Sequence, residues 1–223
     1  MLSVSNEWKI TYPGAHVGIL VMEQVSNPER HPELDRRKEE LEADLRALFK
    51  DPTELKNAEP IKSYQSYYKR FKKTYHVFHQ VQSVVFKGKS IPRVAGLVEA
   101  MFMAELRNML LTAGHDMALV QEPLGLEVAM GVEKFIGMNG EEQTLKAGDM
   151  YIRDKEGIIS SVLCGPDNRT RIRSSTHTVL FAVYAVPGVG KQALLQHLQG
   201  IEATVKLIAP EASTRHLEIY GSE

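Results

Sequence analysis

The sequence contains a single cysteine, Cys164, so it cannot form an internal disulfide bond. This is typical of proteins in a reducing compartment, and we expect a cytoplasmic location. No apolar run approaches the roughly 18 residues of a membrane-spanning helix, so we expect no membrane partner. The first residues, MLSVSNEWKITYPGA, lack a basic stretch followed by an apolar one, so we also expect no secretory signal.

The sequence also lacks an excess of charge of either sign. Its 27 Lys and Arg residues nearly balance 28 Asp and Glu residues, which gives a formal net charge of −1. No global basic field therefore attracts nucleic acid, and we expect no DNA partner, although local basic clusters can still bind RNA. The 223 residues are 43% hydrophobic and 25% charged, a balance typical of a globular protein with a sizeable core.

Hydrophobic periodicity predicts helices first and short strands afterwards. The expected helices are 34–49, a region from Pro60, 75–86, 94–111 and 191–198. The expected strands are an opening pair within 8–24, then 126–132, a hairpin at the type I′ turn signal Asn139-Gly140, 149–153, 158–163, 179–186 and 203–208. This order predicts an α+β fold with a mostly antiparallel, β-barrel-like core and flanking helices, because a regular βαβ array would alternate strands and helices.

Three short patterns are too incomplete to indicate a cofactor, a metal or a covalent nucleophile. Gly188 to Lys191 resembles the end of a phosphate-binding loop, but Ala185 and Gln192 stand where that loop needs Gly and Ser or Thr. His76 and His79 have the spacing of two metal ligands on a helix, with no third ligand nearby. Cys164 and His115 could form a nucleophile pair, but a lone half-buried cysteine is usually inert. We therefore expect no cofactor and no metal.

The stretch YQSYYKRFKKTY, residues 64–75, interleaves aromatic and basic side chains. This composition suits stacking on bases combined with neutralisation of phosphates. Aromatic residues at helical spacing also commonly face a core, with the lysines on the wet side. Both interpretations remain open from spacing alone. The candidate RNA-binding residues of this stretch are Tyr68, Lys69, Arg70, Lys72 and Lys73.

Two polar segments follow apolar elements, where binding sites often lie. His115 and Asp116 end the apolar run LVEAMFMAELRNMLLTAGHD, which we predict to be a helix followed by a small-residue turn. Asp167, Arg169 and Thr170 lie in the turn of GIISSVLCGPDNRTRI, after a predicted strand. Taken separately, each segment fits a structural loop with an Asp cap or an Asx-turn. The sequence spacing does not show whether the fold brings them together.

These two segments, together with YPGAHVGIL and PIKSYQSYYKRFKKTYHV, resemble the freestanding B3/B4 domain proteins over residues 12–184. Over residues 60–184 the chain is also similar to the related editing domain in the β subunit of bacterial phenylalanyl-tRNA synthetase. The resemblance implies one B3/B4-type domain over 1–223, with an N-terminal strand and helix extension at 1–55 and a core at 60–210. It also implies the barrel-like fold with helical decoration.

In the synthetase, this domain hydrolyses tyrosine wrongly attached to the phenylalanine tRNA. Such a site is needed because an apolar pocket rejects an isostere with one added hydroxyl by only about 100-fold. The resemblance places the editing histidine at His115 and the acidic residue at Asp167. The synthetase domain usually has Glu at the acidic position. The helix pattern of the synthetase domain also differs from Glu99, Ala100 and Met103 of this chain. The resemblance therefore does not predict which amino acid is recognised.

The leading hypothesis is a tRNA-binding protein that hydrolyses a mischarged aminoacyl-tRNA ester in trans, without a metal or a covalent nucleophile. His115 would orient a water or the ribose hydroxyl, and Asp167 would bind the substrate ammonium group. The remaining candidate substrate-binding residues are Asp116, Ser161, Gly165, Arg169 and Thr170. The alternatives are a non-catalytic RNA- or tRNA-binding module, and a hydrolase or sensor of a small amino-acid derivative. The sequence indicates no oligomeric state.

Overall fold

A computed structural model of the chain describes residues 1–221. It contains seven α-helices, α1 to α7, at Asn6–Thr11, Pro32–Leu48, Pro52–Asn57, Glu59–Arg70, His76–Phe86, Gly96–Asn108 and Lys191–Ile208. The strands β1 to β11 are Leu2–Val4, His16–Glu23, Leu111–Asp116, Leu124–Val128, Lys134–Ile136, Glu142–Thr144, Met150–Arg153, Ile158–Ser161, Gly165–Pro166, Thr178–Ala185 and Ser213–Gly221. The α+β class predicted from the sequence is confirmed.

The strands form three sheets. One has four antiparallel strands in the order β11-β2-β10-β3, one has five in the order β1-β4-β7-β8-β9, and β5 pairs with β6. Within the five-stranded sheet only the β1–β4 pair is parallel. Across residues 1–221 the sheets remain separate, so the expected barrel-like closure is not what the structure shows. The early strands β1 and β2 join different sheets, so the N-terminal residues contribute to both.

The four-stranded sheet is covered on both faces. On one face it packs against α7, and Gly18 of β2 makes this close approach possible, because an added Cβ would lie 2.7 Å from the Leu198 side chain. On the other face, the Tyr184 hydroxyl of β10 hydrogen-bonds the Ser160 hydroxyl of β8 at 2.6 Å. Since alternate residues of a strand point to opposite faces, the five-stranded sheet forms the next layer. The order is therefore helices, four-stranded sheet, five-stranded sheet.

Helix α4 joins the two larger sheets through three buried tyrosines at helical spacing. The Tyr64 hydroxyl donates to the carbonyl of Tyr184 in β10, and the Tyr68 hydroxyl donates to the carbonyl of Val162, 2.7 Å away, just after β8. The Tyr67 hydroxyl donates to Asp149 at 2.8 Å, immediately before β7. The aromatic stripe of this stretch is therefore part of the core.

Several predicted boundaries were wrong, and one of them matters for the site. The helix expected to reach residue 111 ends at Asn108, where Met109 adopts a left-handed backbone with φ of 57°. Residues 111–116 then form β3, so His115 lies in a strand and not in a turn. The apolar run continues without Gly or Pro from the buried helix into the buried strand, so its periodicity gave no sign of the boundary.

Other differences are local. Trp8 lies in α1, which begins with a Ser5 cap, and not in a strand. Residues 203–208 continue α7, and the last strand is the half-buried β11. The hairpin at residues 139–140 is confirmed, but only Gly140 has a positive φ, whereas a type I′ turn needs two. The remaining expected helices and strands are present with shifted ends.

Candidate functional site

The segment 165–171 lies where the three sheets meet. It begins as β9 on the edge of the five-stranded sheet, and residue 167 bridges Gly137, beside the β5–β6 hairpin. Residue 171 then bridges His115 in β3, at the edge of the four-stranded sheet. The backbone N–H of Asp116 donates to the carbonyl of Thr170 at 2.7 Å. The fold therefore brings together the two polar segments that the sequence left 50 residues apart.

Three side chains at this junction form a hydrogen-bonded chain, His115–Thr170–Asp167. The Nδ1 atom of His115 lies 2.7 Å from Oγ1 of Thr170, and this hydroxyl donates to Oδ1 of Asp167. Thr170 has one hydroxyl proton, and the carboxylate receives it, so the oxygen must accept the proton of Nδ1. This assigns the tautomer of His115: Nδ1 carries the hydrogen and Nε2 carries the free lone pair.

At the other end of this hydrogen-bonded chain, the imidazole nitrogen Nε2 has no partner among the described residues. His115 is 0% exposed, and its Nε2 atom has no hydrogen-bond partner among residues 1–221. Burial and, to a smaller extent, the nearby charge of Arg169 lower the pKa of His115 to about 3. The imidazole is therefore neutral at neutral pH, so its 4.0 Å contact with Asp167 is not an ion pair. A buried acceptor without a donor is rare, and such groups are often functional.

Arg169 holds the other side of the junction. Its guanidinium pairs with Asp154 at 2.8 Å and Glu156 at 3.3 Å, and it lies 3.7 Å from Asp167. It also donates to the carbonyl of Leu119 at 2.9 Å. One positive charge thus faces three carboxylates, which leaves the surroundings negative. With these contacts Arg169 fixes the geometry of the acidic groups and is not a free cation for a phosphate.

A surface depression of about 210 Å³ opens beside these charges, and we call it the acidic depression. Its wall includes Asp167, Arg169, Glu156, Lys134 and Ile136. Desolvation raises the pKa of Asp167, while Thr170 and Arg169 oppose that change. His115 does not line the depression but lies behind Asp167 and Thr170. Asp167 therefore lies where a ligand in the depression would contact it. His115 is connected to that ligand only by the hydrogen bonds through Thr170 and Asp167.

Three other predicted site residues shape the backbone of the junction. Both carboxylate oxygens of Asp116 are occupied, one by the N–H of Ala118 at 3.1 Å and one by the hydroxyl of Thr176 at 2.8 Å. The Ser161 hydroxyl accepts from the N–H of Cys164 at 3.0 Å and closes the β8–β9 turn. Gly165 permits that turn with a φ of 75°. None of the predicted residues Asp116, Ser161 and Gly165 lines the acidic depression.

The predicted RNA-binding residues separate into buried and exposed members. Tyr68 is 2% exposed, so it offers no ring face for stacking on a base. The side chains of Lys69, Arg70, Lys72 and Lys73 are exposed. Arg70 lies over the rings of Tyr12, Tyr67 and Phe71 at 5.2 to 5.8 Å, which anchors its guanidinium in place.

No nucleophile pair or metal cluster is visible in the described chain. Cys164 is a free, half-buried thiol that does not hydrogen-bond the free Nε2 of His115. Residues 1–221 contain no group of three His, Cys, Asp or Glu side chains that could hold a metal ion. In the same residues, no helix is both long and apolar enough to cross a membrane.

Asp154 is the main site residue that the sequence reasoning missed. It is 1% exposed, and besides pairing with Arg169 it accepts hydrogen bonds from the backbone N–H groups of Gln121, Glu156 and Gly157 at 2.9 to 3.0 Å. These bonds hold the pKa of Asp154 below its ordinary value despite the opposing effect of burial. Residues 154–157 lie between two expected strands, 149–153 and 158–163, but nothing in this segment indicated that Arg169 would be the partner of Asp154.

Comparisons with known proteins give a family and a distant structural likeness. The crystal structure of an N-terminal fragment of the phenylalanyl-tRNA synthetase β subunit from Pyrococcus horikoshii is similar with a TM-score of 0.48 and 12% identity. The alignment covers 98% of this chain and 50% of that one, so the chain spans half the length of that structure. No curated protein gives a significant match. The B3/4 domain family matches residues 63–199, more than half of the sequence, and the chain therefore belongs to the B3/4 domain family.

Proposed function

We propose that this B3/4 domain protein binds tRNA and hydrolyses the ester bond of a misattached amino acid. The observation that carries the proposal is the His115–Thr170–Asp167 chain, which joins a buried, unpartnered imidazole nitrogen to the wall of an acidic depression. The family membership and the resemblance to a synthetase editing domain support the same activity. Fold likeness alone does not establish function, so the proposal depends on this geometry.

The acidic depression suits the charged part of an aminoacyl group. An aminoacyl ester carries a free α-ammonium, and the depression presents Asp167 and Glu156. The two cations on the same wall have further carboxylate partners, since Arg169 also pairs with Asp154 and Lys134 pairs with Glu142 at 2.8 Å, so the carboxylates are in excess. Opposite charges at close range in a partly desolvated site attract strongly. Asp167 would therefore hold the ammonium, and Arg169 would keep that carboxylate in position.

The chemistry required of the protein is modest. In the hydrolysis, water adds to the ester carbonyl, the bond to the ribose oxygen breaks, and the released hydroxyl takes up a proton. With a pKa of about 3, His115 is a weak base, and an effective general base has a pKa nearer the working pH. Its Nε2 is buried and is the ring nitrogen away from Thr170 and the depression, so we assign His115 a positioning role: its Nδ1–H would hold the Thr170 hydroxyl, which in turn would orient the Asp167 carboxylate toward the substrate. Holding an already activated ester in a fixed orientation lowers the barrier, because the reacting groups no longer have to be brought together.

A panel of misacylated tRNAs tests this function. Wild-type protein should release the amino acid from at least one member, and the Thr170→Val variant should lose most of that activity because it interrupts the hydrogen-bonded chain. Thr176→Val is the matched control, since Thr176 is also a buried threonine that donates to an aspartate, Asp116. No deacylation by micromolar wild-type protein, or equal activity of the two variants, would contradict the proposal.

The complete burial of His115 favours one other candidate function, a tRNA-binding module without catalysis. In that case the hydrogen-bonded chain only stabilises the junction of the sheets. The same panel separates the two: salt-sensitive tRNA binding with no deacylation indicates the binding module. Hydrolysis of a minimal aminoacyl ester as fast as of the full aminoacyl-tRNA would instead indicate an enzyme of small amino-acid derivatives.

A further inference from the structure

A second part of the surface, on helices α3 to α6, has two adjoining cavities that the proposed reaction does not use. The first, which we call the lysine cleft, has a volume of about 250 Å³ and is lined by Lys56, Lys69, Lys73 and Phe78, among others. The second, which we call the apolar cavity, has a volume of about 440 Å³. His79 lines both, so the two cavities adjoin at its imidazole ring. One extended ligand placed across this ring would occupy both.

The lysine cleft brings together three lysines that form no ion pair within residues 1–221. Lys56 comes from α3, Lys69 from α4 and Lys73 from the following loop. No carboxylate of residues 1–221 pairs with any of these three, whereas Lys62 on the same helix pairs with Glu59. In a chain of net charge −1, such a local cluster marks a site for an anion with several charges.

The apolar cavity has the size and lining of a site for a flat organic group. Its walls include Phe102, Val84 and Pro92, and its volume lies within the range of small-molecule sites. Gln80, which also lines it, has an amide oxygen without a hydrogen-bond donor. A nucleobase would stack on the phenylalanine ring and supply an amino group to that oxygen, whereas an acidic peptide would leave both unused.

One residue of the lysine cleft, Lys73, contacts a backbone segment that leads within a few residues to the acidic depression. The Lys73 ammonium donates to the carbonyl of Leu163 at 3.3 Å, in the β8–β9 turn. Leu163 precedes Asp167 by four residues, so at most about 14 Å of extended chain separates them. A strand held in the cleft would thus pass near the depression.

We propose that the lysine cleft and the apolar cavity together bind single-stranded RNA, with phosphates on Lys56, Lys69 and Lys73 and one unstacked base beside Phe102. Cationic grooves lined with aromatic rings bind unpaired nucleotides in this way. The inference rests on RNA being the partner, as in the proposed function, but its test uses uncharged RNA oligonucleotides. It can therefore fail while hydrolysis of charged tRNA persists, and the reverse.

The lysines are tested by the salt dependence of binding. Each phosphate contact to a single strand contributes a slope of about −0.7 in the plot of log affinity against log salt. The triple variant Lys56→Gln, Lys69→Gln, Lys73→Gln should flatten the slope by about 2 and weaken binding roughly 100-fold at 0.1 M salt. The control variant Lys9→Gln, Lys191→Gln changes two exposed lysines outside the cleft and should reproduce the wild-type slope.

The apolar cavity is tested by a change that leaves the charge intact. Phe102→Leu should weaken binding of the single strand roughly 5- to 100-fold, as expected for a lost base-stacking contact, with an unchanged salt slope. Phe86→Leu, a half-buried phenylalanine of α5 outside both cavities, controls for packing. Circular dichroism confirms that each variant is folded before binding is compared.

Four results would overturn the inference. The first is that wild-type protein does not bind a single-stranded RNA at 50 mM salt, and the second is that the triple lysine variant keeps the wild-type salt slope. The third is that the Phe102→Leu and Phe86→Leu variants bind the RNA equally well. The fourth is that a polyglutamate peptide competes for the site as well as single-stranded RNA does. Duplex RNA that binds as tightly as the single strand would remove the role of the apolar cavity and count against it as well.

Discussion

Lowering the pH should destabilise the fold through His115 in a way that a variant can isolate. In the unfolded chain a histidine takes up a proton near pH 6.5. In the folded protein burial lowers the pKa of His115 to about 3. Below pH 6.5 the unfolded state therefore binds a proton that the folded state refuses. The stability contributed by the neutral imidazole is present above pH 6.5 and is lost as the pH falls toward 3.

The magnitude follows from the two pKa values. Between pH 7 and pH 5 the linkage relation gives a loss of about 2 kcal/mol for this one group. The total change in unfolding free energy of the wild type does not isolate His115. Burial also raises the pKa of Glu105 to about 8 and that of Asp149 to about 6, so these two carboxyls stabilise the fold as the pH falls. The comparison is therefore made between the wild type and His115→Asn, whose amide can still donate to Thr170.

Urea unfolding at pH 7 and pH 5 measures the effect. The wild type should lose about 2 kcal/mol more than His115→Asn over this interval. His197→Asn provides the comparison within the same protein, since burial also lowers the pKa of His197 to about 3 and it should show a similar difference. An identical pH dependence of the wild type and His115→Asn would show that His115 is solvated or already protonated, and the description of the buried imidazole would be refuted.

Three further predictions concern the buried frame of the site. Glu105→Gln should remove a loss of about 3 kcal/mol that the wild type suffers between pH 6 and pH 9, because burial raises the folded-state pKa to about 8, so in most of this interval only the unfolded chain releases the proton; unfolding at both pH values checks this. Tyr67→Phe should cost about 3 kcal/mol, because it leaves buried Asp149 and the N–H of Met150 without their partner, and thermal unfolding would show a Tm equal to wild type if this were wrong. Gly18→Ala should cost about 1–3 kcal/mol by pushing α7 from the sheet, and no measurable destabilisation in urea would contradict that packing.

The sequence predicted some of the helices closely. Helices α2 and α5 show apolar residues at a spacing of three and four, and the structure has both within two residues of the expected bounds. Helix α4 begins one residue before the expected start at Pro60, whereas the short helices α1 and α3 were not predicted. The sequence failed where a largely buried helix runs directly into a buried strand, at residues 108–116, because no Gly or Pro separates the two elements. As a result, His115 was expected in a turn, whereas the structure has it in a fully buried strand.

The composition of the candidate site was partly predictable, but its connections were not. His115, Asp167 and Thr170 were all named from the sequence, yet the order in which they hydrogen-bond depends on the bridge between residues 115 and 171. Arg169 was expected to bind the substrate, whereas in the structure its guanidinium forms ion pairs with Asp154 and Glu156. Long-range pairing of this kind depends on the sheet register, which local patterns do not specify.

The most direct test of the central claim is deacylation of misacylated tRNA by three proteins: the wild type, Thr170→Val and Thr176→Val. If hydrolysis requires the hydrogen-bonded chain His115–Thr170–Asp167, the wild type and Thr176→Val should hydrolyse the same ester at similar rates. Thr170→Val should then lose most of its hydrolysis while binding uncharged tRNA with wild-type affinity. Hydrolysis by Thr170→Val at the rate of Thr176→Val would contradict the account.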